Sequence, residues 1–136
     1  MELWKRENME IWKCGVSMKV ELEDRIVKFA ARCIKACGAL PVKKIGSNSL
    51  ADQVFRSATS VAANYAEATE AESRKDFIHK LKIAMKELSE TRVWLKIIVE
   101  SDYIEHRKLD ALIGESVELT RILSASVITA RNRQES

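Results

Sequence analysis

Arg56, Ser60, Asn64 and Glu67 follow one another in steps of four, four and three residues. On a helix, that spacing lays the four side chains along one side. A guanidinium and a carboxylate so placed could hold an anionic ligand, trade protons, or pair with charges on a neighbouring helix. An arginine on a partly buried surface between helices needs a carboxylate, because an unpaired charge there costs several kcal/mol. If the segments around Arg56 and Glu90 form a hairpin turning near Ala71, Arg56 falls opposite Lys86 and Glu87, with Glu90 one turn beyond. Pairing of Arg56 with Glu87 or Glu90 is therefore expected, and the stripe would then set helix register or a subunit contact. The alternative reading is a ligand-binding or catalytic bundle built on Arg56, Glu67 and Glu90. Catalysis would require strongly shifted carboxylate pKa values in a closed cleft.

Other chemistries find little support. His79 and His106 lack the Glu-x-x-His spacing of di-iron bundles, and Cys14, Cys33 and Cys37 form no Cys-x-x-Cys pair. Cys33 and Cys37 stand one helical turn apart and read as small apolar filler. There is no glycine-rich phosphate loop and no Gly-x-Ser-x-Gly elbow. The expectation is a protein that is not an enzyme and carries neither metal nor cofactor. Lys28, Arg32 and Lys35 lie on the outer side of the first helix described below, and Lys43 and Lys44 follow in its loop. These are the candidate nucleic-acid contacts, against the plainer reading of a solvated face. Trp12, Phe77 and Trp94 read as core or interface anchors rather than base-stacking platforms.

Helices must position these groups. From Val20 onward, Leu22, Ile26, Phe29, Cys33, Ala36 and Leu40 recur in steps of four and three. The spacing predicts a first helix, stopped by Gly38 in the left-handed conformation and by Pro41. Ser49 with Asp52 reads as a capping box that opens a second helix running to about Thr69. Its stripe is Leu50, Val54, Ser57, Val61, Asn64 and Ala68, and its many alanines let neighbours approach closely, which suggests a central position. Ser73 with Asp76 repeats the capping signature before Phe77, Leu81, Ala84, Leu88, Thr91, Leu95 and Ile98, the most regular apolar stripe in the chain. Ile78, Met85, Trp94 and Ile97 widen that stripe, so the third helix must bury itself against more than one neighbour. A fourth helix carries Leu109, Leu112, Ser116, Leu119, Leu123, Ser126 and Ala130. The expected fold is all-α, an antiparallel up-down-up-down four-helix bundle over residues 19–131, between a leader at 1–18 and a frayed tail at 132–136.

Composition sets the bounds. With 136 residues, 46% hydrophobic and 32% charged, the chain suits one domain with a core that needs no metal or disulfide. One Pro and four Gly are too few for the frequent turns of an all-β sandwich. A net charge of +3 permits attraction to nucleic acid but falls short of a strongly basic footprint. An odd number of cysteines, with no signal-like start before them, points to the cytoplasm, and no uncharged apolar run is long enough to span a membrane. Trp4, Ile11 and Trp12 do not continue the helical pattern. The leader is either a short helix that docks its tryptophans on a neighbour or a stretch ahead of a true start at Met18.

The segment from Leu50 to Ile104 resembles the four-helix-bundle family encoded in intervening sequences of bacterial 23S ribosomal RNA genes. The likeness is carried by "QVFRSATSVAANYAEA" from Gln53 to Ala68, "SRKDFIHKLKIAMKELSET" and "WLKIIVESDYI", and it extends more loosely from Val20 to Arg131. Arg56, Ser60, Asn64, Ala66 and Glu67 fall on the family's second-helix signature, and Glu90 matches a glutamate of its third helix. Ala62, Tyr65 and Ala68 stand where the family often has Pro, Ile and Gly, which lets the second helix run on. Glu87 replaces a common Ser and adds a second candidate partner for Arg56. The resemblance implies a homo-oligomer, with a pentamer favoured because relatives form pentameric barrels. A related accessory protein of diversity-generating retroelements binds a reverse transcriptase and nucleic acid through a basic surface, and no enzymatic activity is established for the family. The resulting expectation is a non-enzymatic homo-oligomeric interaction module that binds RNA, other nucleic acid or a protein partner.

Overall fold

The structure, a computed structural model, describes residues 16–135, with side chains over 21–133. Trp4, Ile11, Trp12, Cys14 and the rest of the leader up to residue 15 lie outside the described residues. Four helices follow one another: α1 (Val16–Cys37), α2 (Ser47–Thr69), α3 (Arg74–Glu100) and α4 (His106–Glu135). No strand occurs among the described residues. Each helix packs on its sequence neighbours, and α1 also packs on α4. Glu67 meets Lys80 near the α2–α3 turn, whereas Arg56 meets Glu87 and Glu90 farther from it, so these two helices run antiparallel.

The apolar stripes become the core. All seven α3 positions named above, from Phe77 to Ile98, are buried. Leu22, Ile26, Phe29, Cys33 and Leu40 face them from α1 and its loop. On α2 the stripe shares its place with Ala58 and Tyr65, and Tyr65 is the largest of the fully buried side chains. On α4, Ser126 is only partly buried and Val127 takes the core position. A straight helix drifts about 20° per heptad against a strict seven-residue repeat, so over a helix this long the inward face moves by one residue.

Helix ends differ most from expectation. Gly38 is not left-handed, since Gly46 is the glycine with positive φ among the described residues. Instead α1 tightens into successive i→i+3 bonds, Gly38 N to Lys35 O, Ala39 N to Ala36 O and Leu40 N to Cys37 O, before Pro41 ends it. A Cβ at Gly38 would stand 3.1 Å from the Lys35 carbonyl oxygen, so close approach is what favours glycine there. Helix α2 starts at Ser47, two residues before the expected cap. Its N-cap is Gly46, left-handed at φ 86°, with no side-chain cap. Ser49 and Asp52 lie inside the helix, and the Ser47 hydroxyl instead donates to the Pro41 carbonyl at 2.6 Å. The α3 cap is as expected, with the Asp76 N–H donating to Ser73 Oγ at 3.0 Å. Helix α1 begins at Val16 and α4 runs to Glu135, past the expected limits of the bundle. No Gly or Pro interrupts residues 131–135, and Arg133 in the last turn suits the helix dipole.

Candidate functional site

Between α2 and α3 the guanidinium of Arg56 binds both carboxylates named for it. Its Nη1 donates to Glu87 Oε2 at 3.2 Å, and its Nη2 donates to Glu90 Oε1. The Trp94 indole N–H donates to the same Glu90 oxygen at 3.3 Å, and Arg56 Nε reaches Gln53 Oε1 at 3.5 Å. Hydrogen bonding to Glu90 holds the Arg56 pKa above its ordinary value, and the same bond holds the Glu90 carboxyl below its own. Both groups therefore stay charged, and neither is poised to exchange a proton near neutrality.

The rest of the stripe does not join this cluster. Asn64 Nδ2 turns back along its own helix to the Ser60 carbonyl at 2.9 Å and the Ser60 hydroxyl at 3.0 Å. Glu67 accepts from Lys80 Nζ at 2.9 Å nearer the turn. The expected setting of Arg56 needs correction as well, because its side chain is 49% exposed. Exposed ion pairs contribute little in water. Arg56→Ala should therefore shift the thermal midpoint by a few degrees at most. A drop as large as that of a core truncation would show that the guanidinium holds the helices together.

The expected basic group is divided. Lys28, Arg32 and Lys35 are exposed on α1, but α4 faces that helix with acids. Arg25 Nε and Nη2 clamp Glu115 at 2.7 and 2.8 Å. Arg25 chiefly, with a smaller contribution from Arg32, keeps the Glu115 carboxyl below its ordinary pKa. Lys43 is exposed in the loop after α1, whereas Lys44 Nζ reaches the Ser101 carbonyl at 3.4 Å and lies 4.1 Å from the Tyr103 ring centroid. The Tyr103 hydroxyl donates to the Ile45 carbonyl. Lys44 thus helps latch the α1–α2 loop onto the α3–α4 loop.

Cys33 and Cys37 are free thiols, and burial pushes the Cys33 pKa up to about 12. At neutral pH Cys33 is an inert core side chain. An open depression of about 550 Å³ lies at the α3–α4 corner, lined by Val99, Glu100, Asp102, Ile104 and the start of α4. None of Arg56, Glu67, Glu87 or Glu90 lines it, so the alternative Arg/Glu pocket does not coincide with a cavity there. No group of three His, Cys, Asp or Glu able to hold a metal ion occurs among the described residues.

Beyond the Arg25–Glu115 and Lys80–Glu67 pairs, two further polar contacts join helices without a signature in the spacing. Thr91 and Ser57 join their hydroxyls at 2.8 Å inside the core. Arg92, partly buried, donates from Nε to Ser116 Oγ at 2.8 Å, and from Nη2 to the Ser116 carbonyl at 3.2 Å and Thr120 Oγ1 at 2.6 Å. The sequence signal was a hydroxyl residue inside each of three apolar stripes. The partner of Arg92 lies on another helix, which no spacing within α3 reveals.

Four helices around one apolar core, with the polar groups between them satisfying one another, define an all-α four-helix protein. The profile of the 23S rRNA-intervening sequence protein family matches residues 7–125, and the chain belongs to that family. A solved structure of a protein of unknown function from the S23 ribosomal protein family of Bacteroides thetaiotaomicron is 33% identical. It aligns with a TM-score of 0.72 over 78% of this chain and 97% of its own. No curated protein sequence matches significantly. No helix among the described residues is long and apolar enough to cross a membrane.

Proposed function

We propose that this protein is a non-enzymatic interaction module that assembles with itself and binds RNA through an exposed surface. The observation that carries the reading is the state of the polar groups between the helices. Arg56 is matched to Glu87 and Glu90, Arg92 to Ser116 and Thr120, and Ser57 to Thr91. The two carboxylates with clearly moved pKa values, Glu90 and Glu115, move down, which suits ion pairing rather than acid catalysis. What remains for function is the outer surface. Exposed Val27 and Ile34 on α1, Phe55 on α2, and Val117 and Ile128 on α4 favour self-assembly. Apolar contacts on different faces of one subunit suit head-to-tail pairing, which closes into a ring such as the favoured pentamer. RNA is the favoured partner because the net charge is positive and the family takes its name from 23S rRNA intervening sequences. Two measurements test the reading. Light scattering at micromolar concentration should give a multiple of the 15.4 kDa chain mass, and a monomer would remove the assembly claim. Affinity for a labelled RNA should fall steeply with added salt as phosphate contacts are screened, and absence of binding even at low salt would remove the RNA claim.

A further inference from the structure

On the solvent side of α3, Lys75, His79, Lys82, Lys86, Ser89 and Lys96 are all exposed. They follow the same four-three spacing as the buried stripe but on the opposite side of the helix, with Val93 filling the one remaining position. From Lys75 to Lys96 the line covers about 30 Å at 1.5 Å rise per residue. Lys75, Lys82, Lys86 and Lys96 make no ion pair among the described residues. Of the carboxylates on α3, Glu87 and Glu90 are turned to Arg56 on the α2 side, while Asp76 beside Lys75 and Glu100 one turn beyond Lys96 flank the two ends of the row. The α1 group of Lys28, Arg32 and Lys35 differs, because Glu115 of α4 lies within the field of Arg32.

We infer that the outer face of α3 is the track on which RNA phosphates are held, an inference that rests on the RNA-binding reading above. A straight row of unpaired ammonium groups meets a sugar-phosphate strand by charge alone, so binding is independent of base sequence. A membrane surface fits poorly, since an interfacial helix buries an apolar face in lipid and the apolar face of α3 is spent on the core. An acidic protein also fits less well, because the exposed large apolar residues of α3 are just Val93 and Ile97, and protein interfaces draw most of their energy from buried aromatic and apolar anchors.

The test compares three full-length chains: the parent, Lys82→Ala/Lys86→Ala/Lys96→Ala, and Lys28→Ala/Arg32→Ala/Lys35→Ala. All six side chains are exposed, so both variants should show the parent's helical content and melting curve. The probe is a fluorescent single-stranded RNA of random sequence, titrated from 50 to 200 mM KCl. Each phosphate contact contributes about 0.7 to the log–log salt slope. The α3 variant should therefore lose about two units of slope and, at 50 mM, on the order of 100-fold in affinity, while the α1 variant stays within about threefold of the parent. If the α1 variant loses binding and the α3 variant keeps it, RNA binding stands and the α3 assignment is overturned. If the parent does not bind at 50 mM, the functional reading itself has failed. Polyglutamate displacing RNA from α3 at equal charge concentration would make this a docking face for an acidic protein, which also overturns the assignment.

Discussion

Phe29→Ala should lower the free energy of unfolding by about 3–5 kcal/mol, a large share of the roughly 5–15 kcal/mol that holds a domain folded. Phe29 is fully buried on α1, in the same core as Leu81, Leu88 and Leu119. Truncation removes the transfer energy of the ring and leaves a cavity whose walls belong to other helices. Those helices cannot collapse into it without giving up contacts of their own. The denaturant midpoint should fall with little change in slope, because the surface exposed on unfolding hardly changes. Phe55→Ala supplies the control. That ring is 55% exposed on the single subunit, so below the assembly threshold its loss should stay within about 0.5 kcal/mol. A larger effect that appears only above the threshold would place Phe55 in the contact between subunits, whereas equal effects at the two sites in the dissociated chain would mean that Phe55 is part of the core.

The same contrast explains how much of the fold could be read from residue order. Burial follows the four-three period closely in α3, where every expected core position is inside. The period is a property of the helix itself, so it survives without knowledge of neighbours. Helix ends depend on contacts between distant segments, and there structure and local sequence part. Gly46 caps α2 in place of Ser49 because its left-handed turn brings the loop against Tyr103, whose hydroxyl would stand 3.3 Å from a Cβ at residue 46. Nothing near Gly46 in sequence announces a tyrosine from the α3–α4 loop.

The polar stripe shows the same division. Pairing of Arg56 with Glu87 and Glu90 follows from the hairpin geometry alone, but the depth of burial does not, and the half-exposed guanidinium changes the expected energetics. The lysine row on α3 is also written in the spacing, but the apolar half of the same helix dominates the pattern, and lysines count as a functional surface only once their own pairing is known. Arg92 is the converse case: its setting is made by Ser116 and Thr120, and only the packing of α4 on α3 brings them to it.

Thr91→Val should cost about 1–3 kcal/mol although it changes almost no volume, since it removes a hydroxyl from a fully buried position. In the parent, the Thr91 hydroxyl lies 2.8 Å from Ser57 Oγ and donates to the Glu87 carbonyl at 2.8 Å. Without it, Ser57 is left with the Val54 carbonyl at 3.5 Å, a weak partner for a hydroxyl cut off from water. Ser57→Ala alone should cost less, because Thr91 keeps its bond to Glu87. The double variant should be more stable than the sum of the single losses requires, since it removes both ends of the pair and leaves no orphaned group. Chemical denaturation of the four proteins gives this coupling energy directly. Strict additivity would mean that Ser57 is satisfied without Thr91. A positive coupling would make the pair a register lock between α2 and α3, because sliding either helix by one turn would strand both hydroxyls in the core.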